Sequence, residues 1–349
     1  MKIIHLLPDI NSIHTKHIIS ALKKWENKLV KDHEQVFFIY GINDKGLKKE
    51  EYLIPYKYNL LLFLRIIHHC LKHDKIIIHG GYFKLWILLS FLPKSILKHI
   101  KWICWGSQID RNRTSIKSFI YYKIRYRVFK SLGAINFLIK EEIYLFDKNY
   151  HNKNKLYNPY FNLEFEKLKI LFPYESIEIP EKINKILIGN NGHYVNNHIE
   201  AIDVLYSLNF RVDITIIVSY GSKVLIEDLK DKMNNYSLGN YTPIEKMLSL
   251  EELLHTYNNI DAYVAYSDNQ TGLFAIYTFL YLKKPIYLKR GSLVEKFMND
   301  HEFNYFYLDE ILEFKLIQQQ KLIDNHYKVK NFINSDESLN KWNDFFVKM

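Results

Sequence analysis

The chain has 349 residues and 48% of them are apolar, which is enough for two hydrophobic cores. Its two cysteines, Cys70 and Cys104, lie inside apolar runs, a pattern typical of a reduced cytosolic protein and unlike a disulfide-bonded secreted one. Residues 1–150 contain 26 Lys and Arg against 12 Asp and Glu, a balance of +14, whereas residues 151–349 contain 22 against 26, a balance of −4. This asymmetry predicts an anionic partner for the first half only.

Short apolar runs alternate with helix-length segments along the whole chain, which predicts two α/β domains with parallel sheets. The longest apolar stretches are interrupted before the roughly 20 residues that a membrane-spanning helix needs. We place the first domain at 1–165, the second at 166–334 and a terminal amphipathic helix at 335–349, with a linker region within 149–181. The predicted strands are residues 2–7, 35–40, 75–79, 102–105, 134–138, 185–188, 212–218, 262–265 and 285–288.

The segment Gly-Asn-Asn-Gly at 189–192 joins a predicted strand to a helix that contains His198 and Glu200. Such a loop allows close backbone approach, so its N–H groups and the positive end of the helix can bind a phosphate. A tight turn with Asn196 or Asn197 as the helix cap is the alternative. The loop matches neither the dinucleotide nor the P-loop spacing, which disfavours both of those activities.

A second polar loop follows the strand at 262–265 and contains Asp268, Gln270, Thr271 and Gly272. In open parallel sheets ligands bind where strands end, so two such loops in one domain indicate a nucleotide-sugar pocket. Helix capping is the alternative for these residues. The predicted donor-binding residues are Gly189, Asn190, Asn191, Gly192, Asn196, His198, Glu200, Gly221, Gln270, Thr271 and Gly272.

Polar breaks after strands in the first half are predicted to line the opposite wall of a cleft, although turn glycines and core tryptophans would give the same pattern. Near the end of the first strand, Asp9 and His14 are candidates for an acid, base or orienting role, as is Asp268 in the second half. The residues predicted on this wall, which the resemblance described below assigns to the acceptor side, are His79, Gly80, Trp105, Gly106 and Gln108.

Residues 117–130 combine five basic with five aromatic side chains. A helix of this kind can lie on an anionic bilayer with its rings at headgroup level. An ordinary solvated helix with a buried aromatic stripe is the alternative.

The chain resembles the 4-acetamido-4,6-dideoxygalactose transferase family, glycosyltransferase family 56, over most of its length. In the second half the resemblance is carried by residues 188–192, Asn196, 198–201, 261–272, 285–288 and Arg290. In the first half it is carried by residues 79–80, 85–86, Trp102 and 105–106.

The resemblance implies a GT-B fold of two Rossmann-like domains facing each other across a cleft, with the acceptor on the first and a dTDP-sugar donor on the second. It implies transfer of a 4-amino-4,6-dideoxyhexose-type sugar, such as N-acetylfucosamine, with retained configuration. The implied acceptor is an undecaprenyl-diphosphate-linked saccharide at the cytoplasmic face of the bacterial inner membrane, in enterobacterial common antigen or O-antigen synthesis. We expect peripheral contact with the anionic membrane, and we expect no nucleic-acid partner.

We expect no cofactor and no metal ion, because the sequence contains no Cys-x-x-Cys, His-Glu-x-x-His or Asp-x-Asp pattern. The sequence departs from the family where an acidic residue is expected at Gln108 and where Arg-Gln-Gln is expected at 269–271. These departures predict a changed donor or acceptor. A basic nucleic-acid-binding protein and an inactive GT-B scaffold in a polysaccharide assembly complex are the alternative functions.

Overall fold

The structure, a computed structural model, describes residues 2–7, 13–24, 34–40, 53–56, 59–81, 83–105, 109, 116–157, 164–313, 319–333 and 335–347. The chain divides into two compact units. Unit 1 comprises Met1–Leu163 with Ser335–Met349, and unit 2 comprises Glu164–Asn334. No helix among the described residues is both long enough and apolar enough to cross a bilayer.

Unit 1 contains a parallel sheet whose seven described strands lie in the order β3-β2-β1-β4-β5-β6-β7. The strands are β1 (Lys2–Leu7), β2 (Glu34–Tyr40), β3 (Leu53–Tyr56), β4 (Lys75–His79), β5 (Ile100–Ile103), β6 (Ala134–Phe137) and β7 (Lys155–Tyr157). The helices are α1 (Ile13–Lys24), α2 (Asn59–Leu71), α3 (Phe83–Leu89), α4 (Lys94–Leu97), α5 (Ile116–Ser131) and α6 (Glu141–Asp147), and the C-terminal helix is Ser335–Val347.

Alternate side chains of each unit 1 strand enter different cores because successive residues of a strand point to opposite faces. On β1, Ile4 and Leu6 pack with residues of α2, α3, α4 and α5, whereas Ile3 and Leu7 pack with α1 and the C-terminal helix. Burial on both faces explains why these strands appear in the sequence as continuous apolar runs. The C-terminal helix belongs to unit 1, where Trp342 is buried on the sheet.

Unit 2 contains a parallel sheet whose six described strands lie in the order β10-β9-β8-β11-β12-β13. The strands are β8 (Lys185–Ile188), β9 (Asp213–Ile217), β10 (Tyr241–Ile244), β11 (Ala262–Ala265), β12 (Ile286–Leu288) and β13 (Phe306–Tyr307). The helices are α7 (Glu164–Leu171), α8 (His198–Ser207), α9 (Lys223–Asn234), α10 (Leu250–Asn258), α11 (Leu273–Tyr281), α12 (Leu293–Asp300) and α13 (Gln319–Phe332). We number the C-terminal helix α14.

All nine predicted strands are present, but four others were missed, and these are the outermost strands of the two described sheets. Two of them, β3 and β10, contain Pro55 and Pro243. A proline in a sequence disfavours the prediction of a strand, although edge strands accept proline. The other two, β7 and β13, have only three and two residues. The segment 149–181, predicted as the linker region, contains β7 and α7, and the division between the two units lies within it.

Candidate functional site

Four loops of unit 2 follow β8, β9, β11 and β12, which are neighbours in the parallel sheet. The carboxyl ends of parallel strands share one edge of the sheet, so the four loops meet there. The loops are residues 189–197, 218–222, 266–272 and 289–292.

The 189–197 loop begins at Gly189, whose φ of +66° lies in the left-handed region that favours glycine. A Cβ here would lie 2.6 Å from His198 Nε2 and 3.0 Å from Asn196 Cβ, so the loop packs directly on these side chains. The backbone N–H of Gly189 donates to the Val264 carbonyl at 3.0 Å. The strand ladder therefore extends one residue into the loop.

Side-chain hydrogen bonds hold the 189–197 loop in shape. The Asn196 amide donates to the side-chain oxygen of Asn191 at 2.9 Å and to its carbonyl at 3.1 Å. The Asn191 side-chain oxygen also accepts from the His193 N–H at 3.0 Å, and the Thr271 hydroxyl donates to Asn196 Oδ1 at 3.4 Å. Both amide hydrogens of buried Asn196 are thus used inside the loop, which gives this side chain a positioning role.

The loop leaves two neighbouring backbone N–H groups available. Within the described residues, the N–H groups of Asn190 and Asn191 donate to no partner, whereas that of Gly192 donates to the Tyr220 carbonyl at 2.9 Å. Adjacent N–H groups of this kind, followed by a helix N-terminus, are suited to bind an anion.

Gly192 and Gly221 join the loops after β8 and β9 by direct backbone contact. They form an isolated parallel bridge, and the Ser222 N–H donates to the Gly192 carbonyl at 2.8 Å. Gly221 has a φ of +141°, and a Cβ on it would lie 2.1 Å from the Gly192 carbonyl oxygen. Only glycine allows this approach.

Helix α8 begins without the side-chain cap that the alternative interpretation assigned to Asn196 or Asn197. Asn197 is the N-cap residue, in the left-handed region at φ 49°, and it makes no side-chain bond to the helix. Its amide donates instead to the Tyr266 carbonyl at 3.2 Å and to Asp268 Oδ2 at 3.0 Å. Asn197 therefore links the first loop to the loop after β11.

His198, the first residue of α8, is 1% exposed. Neither ring nitrogen has a hydrogen-bond partner among the described residues. Burial lowers the pKa of its imidazole to about 4, so the ring is neutral at pH 7. A buried polar group without a protein partner is uncommon outside functional sites.

Asp268, one of the predicted catalytic residues, lies in an exposed charge cluster. Its carboxylate accepts from Lys289 Nζ at 2.9 Å (Oδ1) and 3.1 Å (Oδ2), and Lys289 also reaches Glu200 at 3.2 Å. Partial burial lowers the pKa of Lys289, but the bonds to the two carboxylates outweigh it and the pKa is raised. The cluster connects the ends of β11 and β12 with α8.

Gly272, the last of the predicted donor-binding residues, lies next to the 189–197 loop. Its φ is +67°, and a Cβ would lie 2.7 Å from the Tyr263 hydroxyl and 3.2 Å from Asn190 Cγ. Gln270 is buried two residues earlier. The structure therefore brings the unit 2 candidates together at the carboxyl edge of one sheet.

In unit 1, the predicted acceptor-side residues His79 and Gly80 lie at the end of β4. His79 is buried, with its Nε2 2.9 Å from His5 Nδ1, and its ring packs near Trp342. Burial, followed by the neighbouring His5, lowers the pKa of His79 well below its ordinary value. The Gly80 carbonyl accepts from Trp102 Nε1 at 3.0 Å.

The structure describes only some of the other unit 1 candidates. Trp105 is half-buried after β5, and His14 lies in α1. Asp9, Gly106 and Gln108 lie outside the described residues.

The family model for 4-alpha-L-fucosyltransferase, glycosyl transferase group 56, matches residues 1–348. The chain belongs to this family. It is therefore a glycosyltransferase, as the sequence resemblance predicted.

Solved structures similar to this group 56 transferase have the GT-B fold, which confirms the predicted fold class of two Rossmann-like domains. Sucrose-phosphate synthase from Thermosynechococcus elongatus superposes with a TM-score of 0.68 at 10% identity, covering 99% of this chain and 98% of the other. Anabaena Alr3699/HepE, solved with UDP and glucose, gives 0.67 at 9% identity and covers 100% of both chains. WaaG, a glycosyltransferase of lipopolysaccharide biosynthesis, gives 0.55 at 11% identity and covers 95% of both.

Sequence reasoning missed three side chains at the candidate site of this transferase: Tyr220, Tyr263 and Lys289. Burial raises the pKa of Tyr220, and its hydrogen bond to Asn191 opposes that shift. The hydroxyl of buried Tyr263 faces Gly272. These residues form no motif, and only their positions at or after strand ends could have indicated them. No group of three or more His, Cys, Asp or Glu in the described part of the chain could hold a metal ion.

Proposed function

We propose that this glycosyltransferase moves a 4-amino-4,6-dideoxyhexose-type sugar, such as N-acetylfucosamine, from a dTDP donor to an undecaprenyl-diphosphate-linked saccharide. The products would be surface polysaccharides of the enterobacterial common antigen or O-antigen type, made at the cytoplasmic face of the inner membrane. Membership of group 56 supports the reaction class. The observation that carries the donor assignment is the pair of available N–H groups at Asn190 and Asn191, beside the start of α8.

The donor diphosphate binds the 189–197 loop in this proposal. The diphosphate contacts the backbone N–H groups of Asn190 and Asn191 and the side-chain amide of Asn190. The loop is held in position by the side chains of Asn191, Asn196 and His198. The transition state separates a positive sugar ring from a negative diphosphate, so preorganised N–H donors stabilise the leaving group. Gln270, Thr271 and Gly272 border the sugar or the ribose.

The remaining parts of the proposal concern charge and stereochemistry. Lys289 lies beside the donor loop, where Asp268 and Glu200 hold it and balance its charge. The N–H groups of the loop meet the donor charge in this proposal, and the transferase acts without a metal ion. The sugar is transferred with retained configuration, which the anomeric coupling constant of the product would test.

A thermal-shift series tests the donor assignment. The purified protein is melted with dTDP, UDP, GDP and CDP, and dTDP is expected to give the largest rise in melting temperature. A ligand at a hundredfold over its Kd adds about 2.7 kcal/mol to the free energy of unfolding. Selective stabilisation by another nucleotide would overturn the dTDP assignment. No shift with any of the four would favour the inactive scaffold.

Asn190→Ala and Asn196→Ala are expected to affect the donor in different ways. Loss of the Asn190 amide removes a direct contact and should raise the donor KM about tenfold, because a hydrogen bond to a charged group contributes about 1.5–3 kcal/mol. Loss of Asn196 removes two bonds inside the loop and one from Thr271 of the loop after β11, so both KM and the melting temperature should change. Asn235→Ala, on the surface of unit 2, is the control. Unchanged donor kinetics in both site variants would refute the loop assignment.

A further inference from the structure

Four of the helices that cover one face of the unit 1 sheet contain no acidic residue. The sequences of α2, α3, α4 and α5 include neither Asp nor Glu. All four helices contribute to the same buried cluster, so they cover the same face of the sheet. Helix α6 packs in the same cluster and carries Glu141, Glu142 and Asp147. The surface without acidic residues is therefore that of α2 to α5, and its basic side chains attract an anionic surface.

Large apolar side chains are exposed at the beginnings of α2 and α5. Leu60 is 66% exposed and Ile116 is 80% exposed. Each has exposed apolar neighbours one helical turn away, which is unusual on a monomer surface and marks an interaction site. We call these side chains the apolar cluster of unit 1, and its members are Leu60, Leu61, Leu64, Ile116, Phe119 and Ile120.

The topology places both helix beginnings at one edge of the sheet. A crossover helix between parallel strands returns the chain from the carboxyl edge to the amino edge. Helix α2 leads from β3 to β4, and α5 leads from β5 to β6. Their first turns therefore both lie at the carboxyl edge, where parallel sheets bind their ligands.

Basic side chains accompany the apolar cluster on the same two helices. Arg65 is exposed on α2, and Lys123 and Arg127 are exposed on α5. Lys123 Nζ lies 5.3 Å from the centre of the Phe119 ring, so charge and apolar surface are adjacent. Apolar side chains flanked by Lys and Arg match the boundary between acyl chains and anionic headgroups.

One face of α5 packs into the core of unit 1 and cannot take part in membrane contact. Val128 and Phe129 are buried in the core of unit 1, and the buried guanidinium of Arg125 stacks on the Phe129 and Tyr150 rings at 5.1 and 5.4 Å. Only the opposite, exposed face of α5 is therefore available to a bilayer. The exposed large apolar side chains lie at the start of α5 and on α2, which the sequence analysis did not single out.

We propose that the apolar cluster of unit 1 inserts into the interface of an anionic bilayer, while the neighbouring Arg and Lys side chains bind lipid phosphates. The inference rests on the proposed function in one respect, since a lipid-linked acceptor lies in such a bilayer. Docking at the carboxyl edge brings the ligand-binding edge of unit 1 to the membrane surface.

Cosedimentation of the full-length protein with vesicles tests the proposal. Vesicles of phosphatidylcholine with about 30% phosphatidylglycerol should bind the protein, and pure phosphatidylcholine should bind it at least tenfold less, because each nearby basic residue contributes about 1 kcal/mol. Leu60→Ser with Leu64→Ser, and Phe119→Ser with Ile120→Ser, should each weaken binding about tenfold. Val224→Ser with Met247→Ser removes exposed apolar surface from unit 2 and should leave binding unchanged.

Two results would overturn the proposal. One is vesicle binding that survives both unit 1 double variants, provided that their tryptophan fluorescence shows a folded unit 1. The other is a dimer that these variants dissociate without loss of vesicle binding, which would assign the surface to a second copy of the chain. Thermal shifts with dTDP on the same variants separate this test from the donor assignment, because the substitutions lie outside unit 2.

Discussion

Gly221→Ala is expected to abolish measurable donor binding and to lower the melting temperature of unit 2 by about 5–10 °C, corresponding to about 2–3 kcal/mol. The new Cβ would lie 2.1 Å from the Gly192 carbonyl oxygen and 2.2 Å from its carbon. These are backbone atoms, so one of the two loops must move. The φ of +141° adds conformational strain for any side chain. Calorimetric melting and titration with the dTDP-sugar would measure both effects.

Gly291→Ala is the matched control for this variant. Gly291 also has a positive φ, +74°, but a Cβ there would have nothing within 4 Å. Gly291→Ala should therefore lower the free energy of unfolding only through the unfavourable backbone conformation, by about 1 kcal/mol. Its affinity for the donor should be unchanged. Suppose that Gly221→Ala bound the donor with normal affinity and melted at the same temperature as Gly291→Ala. The contact between the two loops would then have no role in donor binding.

Glu142→Gln is expected to change how the stability of unit 1 depends on pH. Glu142 is buried at the start of α6, and burial raises the pKa of its carboxyl from 4.5 to about 8, against the opposing effect of backbone groups of Leu138 and Ile139. Above pH 4.5 the unfolded chain loses this proton, while the folded chain keeps it until about pH 8. The free energy of unfolding therefore falls as pH rises through this window, by about 1.4 kcal/mol per pH unit.

The amide of the variant does not titrate, so its stability relative to wild type should increase steadily from pH 5 to pH 8. Tryptophan fluorescence during urea unfolding isolates the effect, because all five tryptophans, Trp25, Trp86, Trp102, Trp105 and Trp342, belong to unit 1. Glu141→Gln makes the same chemical change at the adjacent, partly exposed position. Parallel pH profiles for wild type and Glu142→Gln would show that the buried carboxyl titrates normally.

The central strands of both sheets could be predicted from the sequence, and the edge strands could not. A strand such as β8 is buried on both faces and between two neighbours, so its sequence is a continuous apolar run. An edge strand has one neighbour, which lets β10 keep a proline and partly exposed side chains. Periodicity cannot separate such a segment from a loop.

The candidate donor site was predictable as a set of loops but not as a set of contacts. Glycine and asparagine after a buried strand indicated the 189–197 loop, and the polar residues after β11 indicated its neighbour. The contact between Gly192 and Gly221 and the reach of Lys289 to Glu200 join residues that are 29 and 89 positions apart. Local pattern carries no information about such pairs.

The sequence by itself determined the two α/β units, the central strands and the family, because apolar periodicity and local motifs are properties of neighbouring residues. Only the tertiary structure decided the roles within these elements. It showed that Asn196 bonds inside its loop, that His79 is paired with His5 near Trp342, and that the large apolar side chains of α5 are exposed at its start and buried further along. The physical reason is that burial and hydrogen-bond partners depend on which distant segments pack together, and the sheet order sets that packing.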